Sequence, residues 1–126
     1  MRAVDTNVLV RLITRDDPRQ AAPADRFIAD GAWVSVLALS EATWVLATVY
    51  GRNPDQLATA IEMLLNHEHL VIQDSDIVFA ALDLFRSRPA LGFSDCMMLQ
   101  LARKAGHLPL GTFDRRLGKL EGAVKL

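Results

Sequence analysis

A chain of 126 residues has room for one domain, and with 51% of it apolar that domain can bury an ordinary core. A formal net charge of −1 excludes a uniformly basic nucleic-acid binder. The one cysteine, Cys96, excludes an internal disulfide and fits a reducing compartment; with no basic, apolar leader ahead of the first strand, the expected location is the cytoplasm.

Residues 2–5 read as the first strand and residues 7–14 as a short helix. Asp17-Pro18 is a helix-start signal, a cap followed by Pro at the first helical position, and Ala21, Ala22, Phe27 and Ile28 give that helix its apolar face. Residues 33–37 read as the second strand and residues 39–50 as a buried helix capped by Ser40 and ended by Gly51. Asn53-Pro54 starts the next helix, with the stripe Leu57, Ala58, Ile61, Leu64 and Leu65. Residues 70–73 form the third strand. Asp74 or Ser75 caps a helix with the stripe Ile77, Val78, Ala81, Leu84 and Phe85, and Pro89 follows its end. Residues 94–105 are the next helix, closed by Gly106. Residues 108–112 are the fourth strand, 115–120 a short helix and 123–125 an edge strand. Alternation of this kind predicts a single α/β domain over residues 1–126, a three-layer α/β/α sandwich around a central parallel sheet of four to five strands.

The stretch 31–51 carries one charge, Glu41, and is long enough to raise a membrane span. A carboxylate near the middle of a span costs roughly 2.5–3.5 kcal/mol, so a buried strand followed by a buried helix is the expected reading, with no membrane. Charge is unevenly spread. Residues 30–85 hold one basic residue, Arg52, against eight acidic ones, whereas residues 86–126 hold eight basic and three acidic. A basic block around an acidic centre points to an anionic partner.

Four acids fall where strands turn into helices: Asp5, Glu41, Asp95 and Asp114. Strand ends of an open parallel sheet share one crevice. Carboxylates gathered there repel unless a cation lies among them, and oxygen-only ligation suits Mg²⁺ or Mn²⁺. Such a site suits cutting phosphodiesters. Taken singly, Asp95 and Asp114 are also ordinary helix caps. Thr6, Ser94 and Thr112 neighbour the acids and could orient them through hydrogen bonds. Other motifs have blander readings: His67-Glu68-His69 as a solvated loop, His107 at a helix C-terminus, Asp74-Ser75-Asp76 as capping, and Cys96 as core.

Asp5-Thr6-Asn7-Val8-Leu9, Ser40-Glu41, Phe93-Ser94-Asp95 and Thr112-Phe113-Asp114 together resemble the PIN domain, and within it the VapC toxins of bacterial toxin–antitoxin pairs. The resemblance runs from residue 2 to about residue 117. It implies a Mg²⁺- or Mn²⁺-dependent endoribonuclease, inhibited by a cognate VapB-type antitoxin and forming a homodimer. In that setting Asp5 and Asp95 hold the main ion, and Glu41 and Asp114 complete the site or hold a second ion. Thr6, Asn7, Ser94 and Thr112 support them. Arg11, Arg15, Arg115 and Arg116 are candidates for the flanking phosphates of the RNA substrate. Two alternatives belong to other classes. One is a Mg²⁺-dependent phosphotransfer module, receiver-like or a phosphatase, but Asp5 lacks the adjacent acid of a receiver and position 7 is Asn rather than the Asp of a phosphatase Asp-x-Asp. The other is a PIN-like module that binds without cutting.

Overall fold

Two successive β–α–α–β steps build the N-terminal part of the chain. β1 (Arg2–Val4) leads into α1 (Thr6–Thr14) and α2 (Pro18–Ile28), and β2 (Ala32–Val34) returns parallel to β1. α3 (Val36–Thr48) and α4 (Pro54–Leu65) then lead to β3 (Leu70–Ile72), parallel to β2, in the strand order β1-β2-β3. The computed structural model describes residues 1–126. The chain resolves into two compact units, Met1–Ser75 and Asp76–Leu126.

Within the first unit the register aligns Val4 with Val34 and Val34 with Ile72. These three, with Ala32 and Leu70, are buried on one sheet face. Side chains alternate along a strand, so Ala3, Trp33 and Val71 share the opposite face and are exposed. Both crossovers step the same way along the sheet, and right-handed crossovers that do so lie on the same side. α1 packs on α2 and α3, and α3 on α4, around Leu9, Ile28, Leu39, Leu46 and Ile61.

The second unit contains α5 (Ser75–Ser87, which begins at the boundary residue), α6 (Phe93–Ala105), β4 (Leu110–Thr112), a 3₁₀ turn η1 (Leu117–Lys119) and β5 (Ala123–Lys125). Phe85 and Phe93 meet edge to face at 6.0 Å between ring centroids, at the two ends of the α5–α6 connection. Edge-to-face contact is the favoured arrangement for such a pair. β4 and β5 pair in parallel, Gly111 opposite Val124.

The α/β class and the parallel pairing are as the alternation predicts. All five strands are present, hydrogen-bonded as a three-stranded sheet and a two-stranded one. Several local expectations are corrected. The third helix is capped by Ser35, whose Oγ accepts the Ala38 N–H, so Ser40 lies inside the helix. Ser35 wins because it is the residue at which extended backbone ends, φ −73 and ψ 153. Residues 115–120 form only the single turn η1. On α2 the buried face is Ala21, Ala24 and Ile28, with Ala22 exposed. Leu82 replaces Leu84 on the buried face of α5, and Ala60 replaces Leu65 on that of α4. Asn53 caps α4 as expected, and Gln56 reaches back to complete a capping box. No helix is long and apolar enough to cross a membrane.

Candidate active site

Asp5 occupies the first residue after β1. Its backbone is extended, φ −96 and ψ −178, and its Oδ1 accepts the Val8 N–H at 3.3 Å, which makes it the N-cap of α1. The next residue, Thr6, donates its hydroxyl to Glu41 Oε2 at 2.9 Å. Glu41 is carried on α3, five residues into a helix whose start is fixed twice. Ser35 caps it, and Gln73 Oε1, from just beyond β3, accepts the Val36 N–H at 3.0 Å. The carboxyl ends of β1, β2 and β3 therefore all contribute to placing Asp5, Thr6 and Glu41. Asp5 and Glu41 are both exposed.

The other two acids belong to the second unit. Asp95 lies in the first turn of α6, where a negative charge complements the helix dipole. Gly92 caps that helix with its backbone and offers no side-chain hydrogen bond. Asp114 follows β4. The Thr112 hydroxyl oxygen accepts the Asp114 N–H at 3.0 Å, and Asp114 Oδ1 accepts the Leu117 N–H at 2.7 Å, so this acid organises the turn into η1.

No side-chain hydrogen bond caps α6, so Asp95 does not do the capping work that a bland reading assigns to it and to Asp114; Asp114 does, by holding the Leu117 N–H, and so does Asp5 at the start of α1. In Asp5 and Asp114 capping occupies one oxygen of each carboxylate and leaves the other without a hydrogen-bond donor. The same is true of Glu41, which accepts only from Thr6. None of the four acids forms an ion pair, although other acids do: Asp16 with Arg11, Asp25 with Arg15, and Asp76 with Lys104. Uncompensated, oxygen-only donors are the chemistry a hard divalent ion requires. The structure links Asp5 and Glu41 through Thr6. Nowhere does it gather three or more His, Cys, Asp or Glu side chains into a group that could hold a metal ion.

The remaining expected residues divide in the same way. Asn7 and Ser94 are exposed and make no side-chain hydrogen bond, whereas Thr6 and Thr112 each support an acid. Arg11 donates to Gln20 Oε1, to Asp16 Oδ1 at 3.0 Å and to the Tyr50 hydroxyl at 2.8 Å. The Tyr50 hydrogen bond is the main influence holding the Arg11 guanidinium above its ordinary pKa. Arg15 forks onto Asp25 at 3.1 and 2.6 Å, and this pairing lowers the Asp25 carboxyl below its ordinary range. Both arginines already have protein partners, while Arg115 and Arg116 are exposed with none. Nothing in the residue pattern singles out Arg19, yet it lines a cavity of about 360 Å³ between α1 and α2 together with Asn7, Arg11, Gln20 and Phe27. Only the periodicity of α2 could have signalled it.

The motifs outside the site behave as structure. The His67 ring accepts the His69 N–H through Nδ1, and His69 pairs with its neighbour Glu68 at 3.2 Å, all within one loop. Cys96 is fully buried, and burial pushes its thiol up to about 11, which makes it a poor nucleophile.

The PIN domain family model matches residues 2–123. The chain belongs to the PIN domain family, whose members are in general metal-dependent nucleases. No curated protein matches the chain.

Proposed function

We propose that residues 1–126 act as one nuclease domain, a Mg²⁺- or Mn²⁺-dependent endoribonuclease, and that it is the toxin of a VapBC-type pair. The observation that carries the nuclease reading is the Thr6–Glu41 hydrogen bond beside Asp5. It ties the acid after β1 to the acid of α3 while leaving oxygens of both carboxylates free. Asp5 and Asp95 are the proposed direct ligands, with Glu41 and Asp114 completing the set. The chemistry supplied by a divalent ion in such a site is a nucleophilic water near neutral pH and positive charge for the pentavalent phosphorus. The protein's part is to hold the carboxylates in place. Asp5 is fixed by the start of α1, Glu41 by Thr6, and Asp114 by the Leu117 N–H.

A partner is supported by α3. Leu37, Glu41, Trp44 and Thr48 recur at helical spacing, and all four are exposed. Leu37 is 68% and Trp44 65% exposed, one turn either side of Glu41, and Val49 past the helix end is 69% exposed. Large apolar side chains left exposed together on one helix face mark a surface that a partner covers. A VapB-type antitoxin segment or a second copy of the chain would cover it, and an antitoxin there would also mask Glu41.

The test is purified protein on mixed-sequence RNA with Mg²⁺, Mn²⁺ or chelator, beside Asp5→Asn and Asp95→Asn. Cleavage that needs the metal and is lost in both variants is expected. Near-full activity in either variant would remove the site assignment. Co-expression with the product of an adjacent short reading frame tests the toxin role through relief of growth arrest.

A further inference from the structure

We infer that a basic cavity in the second unit binds a nucleotide of the single-stranded RNA, with its phosphate on Arg88, Arg116 and Lys119 and its base on an apolar floor. The inference rests on the ribonuclease reading above and adds a second binding site to it. The cavity measures about 350 Å³ and is walled by two short segments, residues 87–91 from the last residue of α5 onward and residues 116–120 around η1. Its three charged residues are all cations, and no carboxylate lines it. All three are exposed and make no ion pair or side-chain hydrogen bond. Three cations held around one concavity repel one another, and an anion relieves that repulsion.

The floor decides which anion. Pro89, Leu91 and Leu120 line the same cavity, and Leu91 is buried. A nucleotide brings a flat apolar ring and a phosphate together, which matches both features. An acidic peptide brings carboxylates with no ring to fill the floor, and a strand or helix of it needs a groove longer than this cavity. Arginine forks fit phosphate oxygens in pairs.

The wall is also rigid and tied to a candidate catalytic acid. Asp114 Oδ1 accepts the Leu117 N–H at 2.7 Å, so Asp114 and Arg116 share one turn, with Cα atoms at most roughly 7 Å apart. Leu117 is buried, and Gly118 lies so close to β5 that a Cβ there would meet the Lys125 Cβ at 2.7 Å. Asp114 does not line the cavity, but it holds the same turn that carries Arg116 and Lys119 into the cavity wall.

The experiment measures binding of a 5′-labelled, mixed-sequence single-stranded RNA in chelator, so that nothing is cut, across a salt series. Arg88→Glu/Lys119→Glu is compared with wild type and with Arg26→Glu/Arg52→Glu, which makes the same charge change elsewhere. Arg88 and Lys119 are both exposed, and Arg88→Gln/Lys119→Gln serves if the reversal impairs folding. The expected result is a loss of roughly tenfold or more in affinity for the cavity variants. Their salt slope should be shallower by about 0.7 for each phosphate that is no longer neutralised. Equal weakening by the control pair, or unchanged binding, overturns the cavity. Poly-glutamate that competes as well as RNA of equal charge makes the occupant an acidic protein segment and also overturns it. Wild type that cuts RNA while the cavity variants bind normally leaves the ribonuclease reading standing. Wild type that neither binds nor cuts RNA removes both.

Discussion

The Thr6 hydroxyl donates to Glu41 Oε2 at 2.9 Å, joining the residue after the first candidate ligand to a carboxylate 35 positions away. Thr6 is therefore a positioning residue. Without its hydroxyl, Glu41 is an exposed side chain with three torsions and nothing to hold it. Removing the outer partner of a metal-binding carboxylate typically costs 10–100-fold in metal affinity or activity. Thr6→Val keeps the shape and loses the donor. Its RNA cleavage should fall by roughly tenfold at limiting Mg²⁺ and recover in part as Mg²⁺ is raised. Thr6→Ser should restore most of the rate. A Thr6→Val enzyme with an unchanged Mg²⁺ titration would separate Glu41 from the metal site.

Asp5 and Asp114 each combine a cap with a proposed ligand, and substitution can separate the two roles. Asparagine caps a helix about as well as aspartate. Asp5→Asn keeps an acceptor for the Val8 N–H, and Asp114→Asn keeps one for the Leu117 N–H, so both should fold with near wild-type stability yet lose cleavage. Asp5→Ala should lose cleavage and also about 1 kcal/mol of stability. Thermal melting beside a cleavage assay checks this. Equal melting losses for Asn and Ala at position 5 would show that the charge, and not the cap, supports the fold.

Much of this was legible in the sequence because it is local. Asp17-Pro18, Asn53-Pro54 and Gly106 act within a turn of themselves, and each marks the helix end expected of it. Asp5 and Asp114 were legible because each stands just after a strand, whereas the expectation of a strand-to-helix junction fails for Glu41, which lies five residues into α3, and for Asp95, whose helix follows another helix. Ser35 and Ser40 were not separable, since both are serines near the start of an apolar run. What chose between them is the end of the β2 ladder, where Gln73 from beyond the neighbouring strand takes the Val36 N–H. The partners of Arg11 and Arg15 were illegible for a similar reason. Tyr50 meets Arg11 across 39 positions, a pairing that no spacing rule encodes. The cavity of Arg88, Arg116 and Lys119 showed in the sequence only as an excess of positive charge.

Acid stability should be governed by the network at the end of α1. The Thr14 hydroxyl donates to Asp16 at 2.8 Å, with the Tyr50 hydroxyl at 3.1 Å and Arg11 at 3.0 Å. The Thr14 hydrogen bond is the largest influence holding the Asp16 carboxyl below its ordinary value of 3.8, and the Tyr50 bond and the Arg11 charge act in the same direction. A carboxyl lowered in the folded state binds fewer protons there than in the unfolded chain. Its contribution is present above the ordinary value and is lost as pH falls through the lowered one. Asp25 and Asp76 add to the same window, lowered first by hydrogen bonds from Arg15 and Lys104. The melting temperature should therefore drop as pH falls below about 4. Asp16→Asn should lower it near neutral pH, with the gap to wild type closing in that acid window. A gap that stays constant from pH 7 to the acid limit would mean that the charge of Asp16 contributes nothing.

Two glycines of the second unit offer a matched comparison. At Gly111, in β4, an added Cβ would meet the Leu126 methyl carbons at 3.6 and 3.9 Å, ordinary van der Waals distances. At Gly118, in η1, it would meet the Lys125 Cβ at 2.7 Å and the Lys125 backbone at 3.2 Å, where no flexible side-chain end is available to move aside. Gly118→Ala must push η1 away from β5, and overpacking of that kind costs about 1–3 kcal/mol. Gly111→Ala should be close to neutral. The displaced turn carries Asp114, Arg116 and Lys119, so Gly118→Ala should also weaken RNA binding and cleavage below the melting transition, while Gly111→Ala leaves both near wild type. Melting curves for the two variants, with binding and cleavage measured well below the lower transition, decide the matter. If Gly118→Ala melts lower but binds and cuts RNA like wild type, the rigidity of the turn supports the fold and has no part in holding the substrate.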